Sequence, residues 1–168
     1  MRSVLFAILF TAVASAAQAQ DRMIWYSFTG PDDGRIALNY GIPEGDTQMI
    51  GFSCKPRSGR ISAGASFRRT LGVTQSSGRW LDKSGAREPW PVKLSLQWRS
   101  RSATVDGEGY FDEPAGSGTS VGGELSSREL VMIAFAASGR IEAKALGQTV
   151  KPPLADKAMV RRFFDACG

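Results

Sequence analysis

Residues 92–99 read Val-Lys-Leu-Ser-Leu-Gln-Trp-Arg, and this stretch decides the fold class. Apolar side chains occupy every second position from Val92 to Trp98, and polar side chains lie between them. Strict alternation of this kind is typical of an antiparallel strand with one buried face and one solvated face. The stretch therefore predicts a β-strand that places Trp98 in the core.

Weaker versions of the same pattern continue on both sides of this strand. They predict further strands over residues 23–28, 35–40, 48–55, 60–67, 104–111, 130–136 and 140–146. The apolar run 130–136 reads as a strand buried on both faces and paired with 140–146. Residues 75–88 and 113–123 are rich in turn-forming residues and are predicted to be loops.

The hydrophobic period changes after Pro152 and Pro153. From there, Val160, Phe163, Phe164 and Cys167 recur at i, i+3, i+4 and i+7, which places them on one face of a helix. The expected fold is mainly β, an antiparallel β-sandwich or barrel-like domain with a C-terminal α-helix. It is expected to form a single domain over residues 20–168.

The first nineteen residues have the pattern of a secretory signal peptide. A basic start is followed by the apolar residues 4–13 and then by Ala17-Gln18-Ala19, a small-x-small cleavage site. The apolar run is too short for a membrane span, so no transmembrane segment is expected once the signal is removed. The chain is therefore predicted to be periplasmic or secreted, beginning at Gln20.

Two cysteines, Cys54 and Cys167, remain in the predicted mature chain. In an oxidising compartment, one intramolecular disulfide is the default interpretation. Two buried free thiols or an intermolecular bridge are the alternatives.

Two segments near the ends of this domain carry a resemblance to known sequences. They are residues 40–54, which run from Tyr40-Gly41-Ile42-Pro43 to Phe52-Ser53-Cys54, and the terminal Phe163-Phe164-Asp165-Ala166-Cys167. Together they resemble a group of small, uncharacterised bacterial exported (periplasmic) proteins. The resemblance implies a disulfide-stapled β domain, and it carries over no catalytic residue.

The composition excludes several kinds of enzyme. The chain is 42% hydrophobic and 22% charged, as in an ordinary globular domain, and it has no histidine. A Ser-His-Asp triad, a Cys-His pair and a histidine-ligated zinc site are therefore impossible. Any general acid or base would have to be a carboxylate, Lys, Tyr or Cys.

Positive charge is concentrated in residues 54–101, which have eleven basic residues against Asp82 and Glu88. Arginines there are interleaved with Trp80, Trp90 and Trp98, and the first two of these tryptophans are expected to be exposed beside loops. Arginine binds carboxylate and phosphate through two hydrogen bonds and stacks on aromatic rings. We take four arginines as the candidate anion-binding site: Arg68, Arg69, Arg99 and Arg101. Solvated charge, or pairing with the acidic segments of the chain, is the competing interpretation.

Carboxylates cluster in residues 106–113. Asp106, Glu108 and Asp112 are weak candidates for calcium ligands, because hard oxygen ligands suit Ca²⁺ but their spacing matches no EF-hand loop. The same carboxylates could serve a hydrolase that cleaves an envelope polymer.

These observations favour a non-enzymatic binding or structural protein of the periplasm or cell envelope, without a cofactor. Its expected partner is an anionic envelope polymer or an acidic protein, and no nucleic acid is expected after export. The alternatives are the carboxylate-dependent hydrolase and an inhibitor or accessory subunit.

Overall fold

The computed structural model describes residues 22–31, 33–43, 45, 47–113 and 118–168. The predicted signal peptide, residues 1–19, lies outside the described residues. Neither of the helices described in these ranges is long and apolar enough to cross a membrane.

Strands dominate the described ranges. The strands are β1 (Ile24–Thr29), β2 (Ile36–Gly41), β3 (Gln48–Cys54), β4 (Arg60–Phe67), β5 (Thr74–Ser76), β6 (Arg79–Leu81), β7 (Trp90–Trp98), β8 (Arg101–Asp112), β9 (Gly118–Ser126), β10 (Glu142–Ala145) and β11 (Gln148–Val150). The helices are α1 (Leu130–Ser138) and α2 (Lys157–Cys167).

One antiparallel sheet has the strand order β1-β2-β3-β4-β9-β8-β7-β10-β11, and β5 and β6 form a separate hairpin. The large sheet curls until β11 contacts β4. There the Arg69 backbone N–H donates to Gln148 Oε1 at 3.1 Å, and the Arg69 guanidinium donates to the Leu146 carbonyl at 3.2 Å. The result is a curled half-barrel, which confirms the predicted antiparallel, barrel-like fold with a C-terminal helix.

The strand read first from the sequence is present, as β7. Leu94 and Leu96 are buried on its inner face, while Lys93 is exposed on the other face. Trp98 is only partly buried, lies outside the hydrophobic core and faces charged neighbours, so its predicted place in the core is wrong. Trp98 is the last residue of this strand, directly before the turn to β8, and its side chain lies beyond the end of the apolar interior.

Three local predictions are wrong. Residues 130–136 form most of α1 and not a strand, and β10 pairs with β7 and β11 instead. The run is apolar on every face, with Val131 buried and Ile133 exposed. Its hydrophobic residues therefore show no helical periodicity that would identify a helix. Residues 75–88 contain most of the β5–β6 hairpin, and residues 118–123 belong to β9, although both were expected to be loops.

Helix α2 confirms the predicted C-terminal helix. Asp156 caps its start, with Oδ1 accepting from the Met159 N–H at 2.8 Å. Val160, Phe163 and Cys167 are buried, as the i, i+3, i+7 spacing predicts.

A disulfide joins Cys54 at the end of β3 to Cys167 in the last turn of α2, with 5.7 Å between the two Cα atoms. The turn after β3 adds hydrogen bonds from Arg57 N–H to the Ala166 carbonyl (2.9 Å) and from Gly59 N–H to the Cys167 carbonyl (2.8 Å). These bonds satisfy carbonyls that the end of a helix leaves without partners. The predicted intramolecular bridge is confirmed.

The core lies between the inner face of the sheet and the two helices. Phe135 of α1 is at its centre and is fully buried. Its ring centroid lies 5.3 Å from that of Phe52, 5.8 Å from Trp25 and 6.1 Å from Phe164. One side chain therefore connects α1 to β1, β3 and α2.

Candidate anion-binding site

The hairpin between β7 and β8 places two of the predicted arginines together. Trp98 pairs with Arg101, leaving Arg99 and Ser100 as the turn. Arg99 has a φ of 52°, in the left-handed region that glycine usually supplies in such turns. For a residue with a Cβ this conformation costs roughly 1–2 kcal/mol. The hairpin thus presents a guanidinium at its tip despite a local energetic cost.

The Trp98 ring lies against two guanidinium groups. Arg99 Cζ is 5.8 Å from the ring centroid, and Arg140 Cζ is 5.6 Å from it. Arg140 follows the C-terminal cap of α1, and Lys157 begins α2. Together they line an open pocket of about 500 Å³, which we call the cationic pocket: Trp98, Arg99, Arg101, Arg140 and Lys157.

The four cations of this pocket have no carboxylate partner among residues 22–31, 33–43, 45, 47–113 and 118–168. The described ion pairs all lie elsewhere: Arg35–Asp33, Arg60–Glu124, Lys93–Asp106 and Lys151–Glu142. The pocket therefore holds positive charge that no carboxylate of the described residues neutralises.

Glu142 is the acidic residue beside this end of β7, and its carboxylate is already engaged. It accepts from Lys151 Nζ at 3.2 Å and from Gln97 Nε2 at 2.9 Å. Partial burial opposes its ionisation, but the hydrogen bonds from Lys151 and Gln97 outweigh that effect and lower the pKa of the carboxyl. At neutral pH the Glu142 carboxylate is therefore charged, and it is already bonded to Lys151 and Gln97.

Arg68 and Arg69, the other two predicted residues, lie just beyond the end of β4. Arg69 binds the turn between β10 and β11, whereas Arg99 lies beyond the opposite end of β10, where Glu142 pairs with Gln97. The structure thus brings Arg99 and Arg101 together and places Arg68 and Arg69 elsewhere.

The two tryptophans expected beside loops are not freely exposed. Trp90 is buried, with its indole N–H donating to the Ala86 carbonyl at 3.0 Å, so its predicted exposure is wrong. Trp80 is partly buried and stacks on Phe111 with 3.8 Å between ring centroids. Both rings support the β5–β6 hairpin and leave Trp98 as the tryptophan of the cationic pocket.

The carboxylates proposed as calcium ligands lie on one face of β8. Asp106 and Asp112 are six residues apart on this strand, a separation of about 20 Å, which is too far for Asp106, Glu108 and Asp112 to share one ion. Within the described ranges, no three acidic or cysteine side chains gather as metal ligands. Asp106 instead pairs with Lys93 at 3.5 Å, and Glu108 accepts from the Tyr110 hydroxyl at 2.6 Å.

Asp106 and Glu108 line a second, larger concavity. It is a groove of about 850 Å³ on the outer face of the sheet, crossing from β1 to β8. Glu124 also lines it and bonds Arg60 at 2.8 Å, and this contact lowers the pKa of the Glu124 carboxyl. The charge of Arg60, at the start of β4, is thereby neutralised, so Arg60 does not add to the positive charge of Arg68.

Sequence reasoning missed Arg140 and Lys157. Each lies at the end of a helix that no sequence pattern connects to the β7–β8 turn. The packing of α1 against β7 and β8, and of α2 against α1, brings them to Trp98. Comparison with known proteins finds no family model, no curated protein and no solved structure that matches the chain.

Proposed function

We propose that this protein is an exported, non-enzymatic binding protein that holds an anionic polymer in the cationic pocket. One observation carries the proposal: four cations line one pocket with Trp98, and no described carboxylate neutralises any of them. Like charges held in one concavity repel each other, and an anion in the pocket relieves that repulsion.

The side chains of the pocket suit phosphate or carboxylate groups. Arg99 and Arg140 present planar guanidinium groups, which bind either anion through two parallel hydrogen bonds. Contact with the Trp98 ring orients both guanidiniums and costs them none of their N–H donors. Lys157 adds a compact charge that does not require a defined donor geometry.

Export of the protein rests on two observations. The N-terminal sequence has a signal-peptide pattern, and a disulfide joins Cys54 to Cys167, a bond that is rare in reducing compartments. In the periplasm or outside the cell, the available polyanions are envelope polymers and acidic proteins, not nucleic acid.

Protein recovered from the cell envelope is expected to begin at Gln20. The site Ala17-Gln18-Ala19 presents small residues to the processing enzyme, so cleavage should follow Ala19. Intact-mass spectrometry checks this result, and a chain recovered with Met1 still attached contradicts export by this route.

Replacing Arg99 and Arg101 with glutamine is expected to abolish binding to a polyanion at about 0.15 M salt, where charges interact over about 8 Å. The probes are inorganic polyphosphate and poly-L-glutamate, each immobilised on a column, so that retention on one or the other identifies the preferred anion. The wild-type protein should be retained on at least one of them.

The matched control is Arg161→Gln with Arg162→Gln, which removes the same charge from the exposed face of α2. This control, and the pair Arg68→Gln with Arg69→Gln, should be retained nearly as well as the wild type. Equal losses in the control and the pocket variant would reduce binding to net charge and refute the cationic pocket.

A further inference from the structure

Three glycines on neighbouring strands form the floor of the outer groove. Gly51 of β3 lies opposite Gly64 of β4, and Gly64 lies opposite Gly122 of β9. Ser53 and Ser62, a cross-strand pair, continue this floor on one side, and Ser120 continues it on the other.

Two long side chains cover parts of this floor. The Arg35 guanidinium donates to the Ser53 and Ser62 hydroxyls at 3.0 and 2.9 Å, and the Gln48 amide lies over Gly51. The part of the floor that is free of side-chain bulk is therefore the strip at Gly64 and Gly122.

The sheet itself does not require glycine at two of these positions. A Cβ on Gly64 would come no closer than 3.6 Å to another atom, and a Cβ on Gly122 no closer than 3.5 Å, both ordinary contacts. Neither glycine has a positive φ. Glycine weakens a strand interior, and it often marks a place where a ligand approaches the backbone closely.

A buried amide opens onto this floor. Asn39 lines the groove and is only 6% exposed, yet its side chain forms no hydrogen bond with any described residue. Its Oδ1 lies above Gly51, beside the Gln48 amide. No fully buried side-chain N or O atom of the described residues lacks a hydrogen-bond partner, so the Asn39 amide is reached from the groove and is open to a hydrogen bond from a ligand there.

Aromatic side chains form the rims of the groove. Phe28 of β1 is 48% exposed and stacks on Tyr26 with 6.1 Å between ring centroids. Tyr110 of β8 is 44% exposed, and its hydroxyl is held by Glu108. Each rim thus presents a fixed aromatic surface beside hydrogen-bonding groups.

The charged groups of the groove offset each other, unlike those of the cationic pocket. Asp106 pairs with Lys93 at 3.5 Å, and Glu124 pairs with Arg60 at 2.8 Å. Arg35 adds a further positive charge beside Glu124. A lining whose acids and bases balance favours an uncharged ligand.

We propose that the glycine groove binds an uncharged oligosaccharide. A sugar ring offers an apolar C–H face to Phe28 or Tyr110 and hydroxyl groups to the Asn39 amide and the groove carboxylates. An extended peptide is a poorer match, because strand addition needs a free sheet edge and β3, β4 and β9 are paired on both sides. The site stands independently of the anion-binding proposal.

Three trisaccharides that differ in charge test this inference by titration calorimetry. They are the fully N-acetylated β-1,4-linked glucosamine trimer, which is uncharged, the same trimer with free amines, and a galacturonate trimer, which carries carboxylates. The uncharged trimer should bind more tightly than either charged one. Failure of the uncharged trimer to bind, or equal or tighter binding of a charged trimer, overturns the proposal.

Gly64→Leu should fill the floor and weaken trimer binding at least tenfold, since the new side chain rises into the groove without a clash in the sheet. Ser102→Leu is the matched control, because it places a leucine side chain on the same sheet face at an exposed position outside the groove. Circular dichroism confirms that each variant is folded. Gly122→Leu replaces Gly64→Leu if the latter fails to fold.

Asn39→Ala separates binding from structure. Because the amide has no described partner, its removal should weaken trimer binding at least tenfold while leaving the urea midpoint unchanged or raised. A lowered midpoint with unchanged binding assigns Asn39 a structural role and refutes its part in the site. The Arg99→Gln, Arg101→Gln protein should bind the trimers as the wild type does, which keeps the two proposals distinguishable.

Discussion

Replacing both cysteines, Cys54→Ala with Cys167→Ala, is expected to lower the free energy of unfolding by roughly 4–5 kcal/mol. The bond links residues 113 positions apart, so it removes a large part of the conformational freedom of the unfolded chain. It also holds the last turn of α2 against the β3–β4 turn, where Arg57 and Gly59 donate to the helix carbonyls. For a chain of this size, the midpoint of thermal unfolding should fall by about 10–15 °C.

Urea titrations of the oxidised protein, the reduced protein and the double variant measure the effect. The reduced protein and the double variant should agree within about 1 kcal/mol, the size of a modest difference in core packing. A double variant as stable as the oxidised protein would contradict the expectation and show that α2 stays docked without the covalent link.

Phe135→Ala is expected to cost about 3–5 kcal/mol. The ring is fully buried and touches the rings of Trp25, Phe52 and Phe164, which belong to three different elements. Truncation leaves a cavity that these large, fixed rings cannot fill, so the loss of packing adds to the loss of apolar burial.

Ile133→Ala is the control from the same helix. Its side chain is 52% exposed, so truncation should change the free energy of unfolding by no more than about 0.5 kcal/mol. Denaturation curves for both variants decide the point. Similar effects at the two positions would mean that α1 does not pack on the sheet through Phe135.

The sequence predicted those elements whose burial has a clear period. β7 and α2 each bury one face and expose the other. The alternation at 92–99 and the i, i+3, i+7 spacing of Val160, Phe163 and Cys167 therefore predict them directly. Helix α1 could not be found in this way because its run is apolar all round. Strand β9 was not predicted, because only Val121 and Leu125 mark its core-facing side and the glycines and serines around them give no clear alternation.

The two candidate sites also differ in whether a local sequence pattern reveals them. Arg99 and Arg101 were selected because arginines beside Trp98 are a local signal, whereas Arg140 and Lys157 join them only through helix packing. The glycine groove has no local signal, since it consists of missing side chains. Only the register of β3, β4 and β9 shows that Gly51, Gly64 and Gly122 are neighbours.

The strand order also determines which strand pairs can form early in folding and which form late. β7 and β8 meet across a two-residue turn, so their pairing needs little chain to be gathered. β4 and β9 meet only after the whole segment between Phe67 and Thr119 has looped back, and closing that loop costs about 3 kcal/mol of chain entropy before the first ladder bond forms. The β7–β8 hairpin is therefore a local folding unit. Pairing of β4 with β9 is expected to be the slow step, and the half-barrel and the floor of the groove are complete only after it.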